Sequence, residues 1–228
     1  LVFASEDYGQ RLALELGAQF VPCNGSRGLV PVSGSLIRDN PHKYWSYLPA
    51  PVRAYYCRRV SVFGPESTGK STLTRQLADH FQAPYVPEFA RDWLEAREGQ
   101  VQLSDMQVIA RAQAASEDSL ARQSPGLMFC DTDPLATTLW SEELFGQCPE
   151  VVERIAQGRH YSLTLLTDVD VPWVADVVRY RPEKRDDFFA RCRQRLEEQN
   201  RPYRVLSGSW DERWQSALKA IQELMRAD

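Results

Sequence analysis

The sequence predicts an α/β fold: a parallel five-stranded sheet with helices on both faces, preceded by a shorter α/β block. Three observations predict it. From Cys57 onward, apolar runs of strand length alternate with helical apolar stripes, the pattern of parallel strands joined by helical crossovers. The octapeptide Gly64-Pro65-Glu66-Ser67-Thr68-Gly69-Lys70-Ser71 fits G-x-x-x-x-G-K-[ST] and sits between a strand and a helix, the context that gives this pattern its meaning. Carboxylates close several of the predicted strands, at the rim where such sheets bind ligands.

The elements follow in order. Val60-Ser61-Val62-Phe63 is a β-branched and aromatic run, read as a buried strand. After the loop, Leu73, Leu77 and Phe81 fall on one helical stripe. Pro84-Tyr85-Val86-Pro87 is a short second strand ending at Glu88-Phe89-Ala90-Arg91. Ser104 is expected to cap a long helix to about Ala121, with Asp105 in its first turn. Leu127 to Cys130 is a third strand ending at Asp131-Thr132-Asp133, and a helix with Leu135, Leu139 and Trp140 follows. Ser162 to Leu166 is a fourth strand ending at Asp168-Val169-Asp170. A basic segment, Arg179 to Arg185, leads to a helix with Phe188, Phe189, Cys192 and Leu196. Tyr203 to Leu206 is the fifth strand, and Trp214, Leu218, Ile221 and Met225 mark the last helix.

Residues 1 to about 56 form the first block. Asp7 to Leu16 is a helix with Gly17 as its stop, and Gln19-Phe20-Val21 a strand. Pro41 to Tyr56, rich in aromatics and proline, is read as a packed linker. The chain opens on Leu1 in a strand-like run, as though entered within a domain.

Composition excludes several function classes. The net charge of −4 over 228 residues gives no case for a general nucleic-acid binder. No apolar run reaches membrane-spanning length and no signal peptide is visible. The five cysteines are odd in number and widely spaced, and fit no zinc or disulfide framework. Cytoplasmic residence is the default expectation.

The chemistry starts at the octapeptide. Its glycines let backbone N–H groups approach an anion, and the helix that follows adds its dipole. The pattern predicts ATP binding by residues 64–72: Gly64, Pro65, Glu66, Ser67, Thr68, Gly69, Lys70, Ser71 and Thr72. Lys70 is placed for the β- and γ-phosphates, and the Ser71 hydroxyl for Mg²⁺. Glu66 is unexpected beside phosphates; ordering the loop and facing the acceptor both stay open. Asp131 stands where a second carboxylate positions Mg²⁺ or a substrate hydroxyl. Two carboxylates as close as Asp131 and Asp133 repel unless a cation or a hydroxyl-rich ligand lies between them, although Asp133 also suits a helix cap. Glu88 is placed to take a proton from an attacking hydroxyl, and Arg91 to pair with Glu88 or with phosphate. Arg179, Arg181 and Arg185 can close over a transferring phosphoryl group. Trp173 can stack on a flat ring or fill core.

Together these motifs, with Val171-Pro172-Trp173-Val174-Ala175-Asp176, resemble the ribosylnicotinamide kinase domain of NadR-type bifunctional proteins over about residues 57 to 226. The resemblance implies a P-loop NTPase sheet of the nucleoside-kinase type. It also implies ATP-dependent phosphorylation of the 5′-hydroxyl of nicotinamide riboside, giving nicotinamide mononucleotide. It makes Lys70 and Ser71 the nucleotide–Mg²⁺ residues and Glu88, Asp131 and Asp133 the acceptor-side carboxylates. Glu88 is the preferred base because it stands apart from the paired aspartates; Asp131 is the other candidate. The family usually carries glycine after the aspartate of the lid segment, and here Val177 follows Asp176.

The first block is similar to the tail of the adenylyltransferase domain that precedes the kinase in that family. Ser33-Gly34-Ser35-Leu36-Ile37-Arg38 matches its phosphate-binding serine–arginine stretch. None of His42, His80 and His160 lies in an H-x-G-H arrangement, so adenylyl transfer is not expected of this chain by itself. The alternative to a kinase is a sensor module that binds ATP without an acceptor, in which Glu88, Asp131 and Asp133 would be idle.

Overall fold

A computed structural model of the chain describes residues 1–174 and 182–226. They fall into two compact units, 1–48 and 49–228. In the first, β1 (Val2–Ala4) and β2 (Phe20–Pro22) pair in parallel, joined through α1 (Tyr8–Glu15). Further on, α2 (Gly34–Asp39) is capped by Ser33, whose hydroxyl accepts the Leu36 N–H at 3.2 Å. Trp45–Tyr47 form a single 3₁₀ turn. The supposed linker from Pro41 to Tyr56 is therefore not featureless. It ends in α3 (Ala50–Tyr56), which belongs to the second unit and packs against that unit's longest helix.

The second unit runs β3 (Arg58–Phe63), α4 (Lys70–Phe81), β4 (Tyr85–Val86), α5 (Phe89–Glu95), α6 (Leu103–Ala121) and β5 (Leu127–Asp131). It continues α7 (Pro134–Phe145), α8 (Glu150–Gln157), β6 (Leu163–Thr167), α9 (Arg185–Glu198), β7 (Tyr203–Leu206) and α10 (Trp210–Arg226). The sheet order is β4-β5-β3-β6-β7, and every pairing is parallel. Strand alternation decides which side chains meet which helices. Val60 and Val62 pack with Leu73 and Leu77 of α4 and with Ala217 and Ile221 of α10. Phe63 packs on the other face with Leu135 and Leu139 of α7 and Leu196 of α9. After β3 the chain builds β4 and β5 on one side, then crosses to β6 and β7 on the other. The switch in direction lies at the carboxyl end of β3, where ligands bind in sheets of this kind.

Three local differences from the sequence expectation have physical reasons. Gln102, not Ser104, caps α6: its side chain accepts the Asp105 N–H while Asp105 accepts the Gln102 N–H at 2.9 Å. Phe89, Ala90 and Arg91, expected as the trailing end of a strand, instead open α5, because Phe89, Ala90 and Trp93 find an apolar face on Met106, Ile109 and Ala110 of α6. α8 was not expected; Val152 and Ala156 are fully buried, and Val152 joins that same cluster.

One polar cluster holds the back of α6. Glu117 is fully buried and pairs with Arg159 at 2.8 Å, while the Tyr161 hydroxyl donates to it at 2.9 Å. Arg159 also reaches Asp118, which binds Arg59 in turn. Burial pushes the Glu117 carboxyl up to about 7 against the pull of Arg159. Its folded-state value lies above its unfolded one, so it favours the folded state at low pH and loses that contribution as pH rises through about 7. Arg159→Met should therefore cost about 3 kcal/mol at pH 8, where loss of the arginine forces the buried Glu117 to take up a proton, and markedly less at pH 5.5, where Glu117 is already protonated. Urea unfolding at both values measures it; equal small losses at the two would contradict the account.

The turn after β3 demands glycine. Gly64 has φ +137°, and a Cβ there would lie 2.8 Å from the Thr167 carbonyl oxygen of β6. Gly146, with φ +68°, has nothing within 4 Å. Gly146→Ala should cost about 1 kcal/mol, from backbone strain alone. Gly64→Ala should cost about 3 kcal/mol, strain plus a collision with backbone that cannot turn aside. Urea midpoints of the two variants test this, and equal losses would contradict it.

Candidate active site

The loop after β3 is held from below by neighbouring strand ends. The Thr68 and Thr167 hydroxyls lie 2.7 Å apart, with the Pro65 and Phe63 carbonyls as further acceptors at 2.8 and 3.1 Å. Ser67 accepts the Val174 N–H at 2.7 Å. Arg213, 1% exposed on α10, donates to the carbonyls of Gly208, Thr68 and Asp168 at 3.0–3.2 Å and pairs with Asp170. One buried guanidinium thus ties the loop to the ends of β6 and β7. Gly69 completes the turn at φ +81°, where a Cβ would lie 2.6 Å from the Trp210 ring. Lys70 opens α4 and donates to the loop's own Pro65 carbonyl at 2.7 Å.

A cavity of about 160 Å³ opens on this loop. The loop contributes Gly64, Glu66, Ser67, Thr68, Gly69, Lys70, Ser71 and Thr72 to its lining. Charged and polar groups come from Glu88, Arg91, Thr132 and Asp133. Apolar surface comes from Met106 and Ile109 of α6 and Ala136, Trp140 and Leu144 of α7, with Gln113 and Thr137 on the same two helices. Glu88 is half-buried at the N-terminus of α5. Burial pushes its carboxyl up to about 7; Lys70 pulls it down, Asp131 adds to the rise and Arg91 opposes it. An acid poised near neutrality beside an anion-binding loop can exchange a proton there.

The predicted site residues do not all take the places expected of them. Asp131 is 1% exposed and sits beneath the wall, where the Tyr85 hydroxyl donates to its Oδ2 at 3.2 Å. Its Oδ1 is buried without a hydrogen-bond partner among the described residues. Asp133 is fully buried, caps α7 by accepting the Leu135 N–H at 2.7 Å, and pairs with Arg201 at 2.9 Å. The cation beside Asp133 is therefore a protein arginine, which the sequence did not point to. Arg91 pairs with Glu95 at 3.3 Å. Arg185 donates to the Val171 and Ser67 carbonyls at 3.0 and 3.4 Å and lines a narrow cleft with Pro65, Glu66, Trp140, Lys184 and Phe188 rather than the main cavity. Trp173 faces that guanidinium, 5.8 Å from ring centre to Cζ. The aromatic wall of the cavity is Trp140, which sequence reasoning left in the core. Arg179, Arg181, Asp176 and Val177 lie outside the described residues.

Among the described residues no group of three or more His, Cys, Asp or Glu side chains is placed to hold a metal. Mg²⁺ keeps several waters and takes one or two protein oxygens. The Ser71 hydroxyl on the cavity wall and the orphaned Asp131 Oδ1 suit it. No helix among the described residues is long and apolar enough to cross a membrane.

Known proteins bear on this geometry. The chain is 30% identical over 233 residues to the trifunctional NAD biosynthesis/regulator protein NadR of Escherichia coli (strain K12), an alignment covering 99% of this chain and 57% of that protein. It thus spans little more than half the length of the curated relative it matches. NadR protein has been solved in complex with NR and, separately, with NAD and AMP-PNP. The first superposes with a TM-score of 0.75 at 23% identity, over 99% of this chain and 68% of that one. The second gives 0.74 at 23% identity, over 96% and 66%. Thymidylate kinase from Ehrlichia chaffeensis shares the fold more distantly, with a TM-score of 0.52 and 15% identity over 74% of this chain and 98% of that one. The parallel sheet and its loop are those of a phosphate-loop α/β protein. The AAA domain family matches residues 59–213, well over half of the sequence, and the chain belongs to that family.

Proposed function

We propose that the chain is an ATP-dependent kinase that phosphorylates the 5′-hydroxyl of nicotinamide riboside, giving nicotinamide mononucleotide. One observation carries this. Glu88, its carboxyl raised to about 7, shares a cavity with the phosphate loop and stands within electrostatic reach of Lys70 and Asp131. A protein that only sensed ATP would have no use for a proton acceptor there. The similarity to NadR, solved with NR and with the ATP analogue AMP-PNP, supports the substrate pair.

The residues divide the work as phosphoryl transfer requires, with positioning and charge neutralisation ahead of covalent chemistry. The N–H groups of the loop and the dipole of α4 hold the phosphates of ATP. Lys70 exchanges the Pro65 carbonyl for a phosphate oxygen. Glu88 accepts the proton of the 5′-hydroxyl as its oxygen bonds to the γ-phosphorus and the bridging bond to the β-phosphate breaks. ADP leaves with that electron pair. Ser71 and Asp131 would hold Mg²⁺, which supplies charge neutralisation across the phosphates. Asp133, held rigid by Arg201, borders the ribose from the cavity wall. Arg185, and Arg179 of the basic segment, are the candidates to cover the transferring group. The first unit, within the span of the NadR similarity, is read as adenylyltransferase-like.

Steady-state ADP release with and without nicotinamide riboside tests the function. Release should depend on the riboside. Release that ignores the riboside, or none, would overturn the kinase and favour a nucleotide sensor. Glu88→Gln should lower kcat by about 100-fold or more while leaving ATP affinity within about threefold. The acting form is the ionised carboxylate, so kcat/KM for the riboside should fall tenfold per pH unit below about 7. A flat profile between pH 5.5 and 8 would remove Glu88 from the role.

A further inference from the structure

We propose that Gln113 selects the acceptor's base, donating a hydrogen bond from Nε2 to a carbonyl oxygen carried outside the ring of a flat base. The proposal rests on the kinase function above and names how that site recognises its substrate.

Gln113 lies on α6 and is 2% exposed, yet it lines the cavity. Its Oε1 accepts the Phe89 N–H at 3.0 Å. That bond fixes which way the amide points, because the flipped amide would set two donors face to face. Nε2 is then a buried donor with no partner among the described residues. Buried polar groups are nearly always satisfied, and an amide left without an acceptor is unfavourable. The exception lies on the wall of a cavity, where a ligand completes it.

The surroundings say what sort of ligand. Ile109 and Met106 sit one and two turns before Gln113 on α6, and Ala136, Trp140 and Leu144 line the cavity from α7. This is an apolar slot with one aromatic wall, the environment of a flat ring and not of a sugar or a phosphate. The charged groups of the lining, Glu88, Arg91 and Asp133, come from the start of α5 and the N-cap of α7. A riboside laid along the cavity puts its sugar by Glu88 and its base in the slot. A base without a polar substituent would leave the Gln113 amide unsatisfied. An N–H donor there matches an exocyclic carbonyl, as the carboxamide of nicotinamide provides. The Gln113 amide also holds Phe89, the residue after Glu88, so the donor that reads the base and the carboxyl that takes the proton share one anchor.

The test compares three ribosides on the unmodified chain and on Gln113→Leu. They are nicotinamide riboside, 3-acetylpyridine riboside, which keeps the carbonyl but lacks the amide nitrogen, and the riboside of unsubstituted pyridine. The unmodified chain should use the first two within about threefold of each other and the third about 10- to 100-fold less well in kcat/KM. Gln113→Leu should abolish the preference, bringing the first two to the level of the third; loss of the Phe89 bond lowers all three by one common factor, so the ratio among them is the readout. A variant that merely displaced Glu88 would lower all three by the same factor and keep their ratio, and that result overturns the selection role. So does an unmodified chain that treats all three alike, a measurement that needs no variant to fold. If no riboside is turned over, the kinase function fails. The same three-way comparison of Kd by calorimetry then decides the selection role, and binding of none of them overturns both.

Discussion

A carboxyl group kept partly out of water, beside a lysine that belongs to an anion-binding loop, is the arrangement on which the rest of the second unit depends. Burial favours the protonated form of Glu88 and Lys70 favours the ionised form, and the balance falls near neutrality. Moving Glu88 into solvent would drop it to an ordinary surface acid. Removing the lysine's field would shift it further toward the protonated form. The two groups stand at the starts of different helices, α5 and α4, so the sheet must fix their separation.

It does so through polar bonds that are nearly all buried. Thr167, at the end of β6, meets both the loop hydroxyl of Thr68 and the carbonyl of Phe63. Arg213 gathers three carbonyls and Asp170 beneath the same loop. On the acceptor side, Asp133 is clamped by Leu135 and Arg201, and Gln113 holds the first turn of α5. Each of these bonds removes freedom from a residue that lines the cavity or touches one that does. A rigid surround of this kind is what lets phosphoryl transfer rely on position.

Much of this was legible in the residue order. The strands announce themselves as short apolar runs, and the loop's pattern was confirmed by its neighbours. The shortest helices were harder. α5 carries too few residues to show a period by itself, and it forms because α6 offers an apolar face, a tertiary fact. Trp173 drew attention by standing beside a basic segment, whereas Trp140 looked like one more core residue on an apolar helix. Only the fold shows that α7 turns Trp140 toward the cavity. Asp133 was weighed as a ligand for sugar or as a cap. It caps α7 and pairs with Arg201, sixty-eight residues away, while also lining the cavity.

Two residues left a signal that went unread. Arg213 falls in register with Ala217 and Ile221, so an arginine lies on the buried stripe of α10. Gln113 likewise falls four residues after Ile109 and four before Glu117 on the buried stripe of α6. A polar side chain on an apolar stripe must find a partner, and in both cases the partner lies at the site or in the backbone that supports it. The most direct check of the central claim is a ¹³C titration of the Glu88 carboxyl in the free chain, assigned with Glu88→Gln. A midpoint near 7 is expected; a midpoint at 4.5, the ordinary value, would mean that Glu88 is a solvated surface acid and not the proton acceptor.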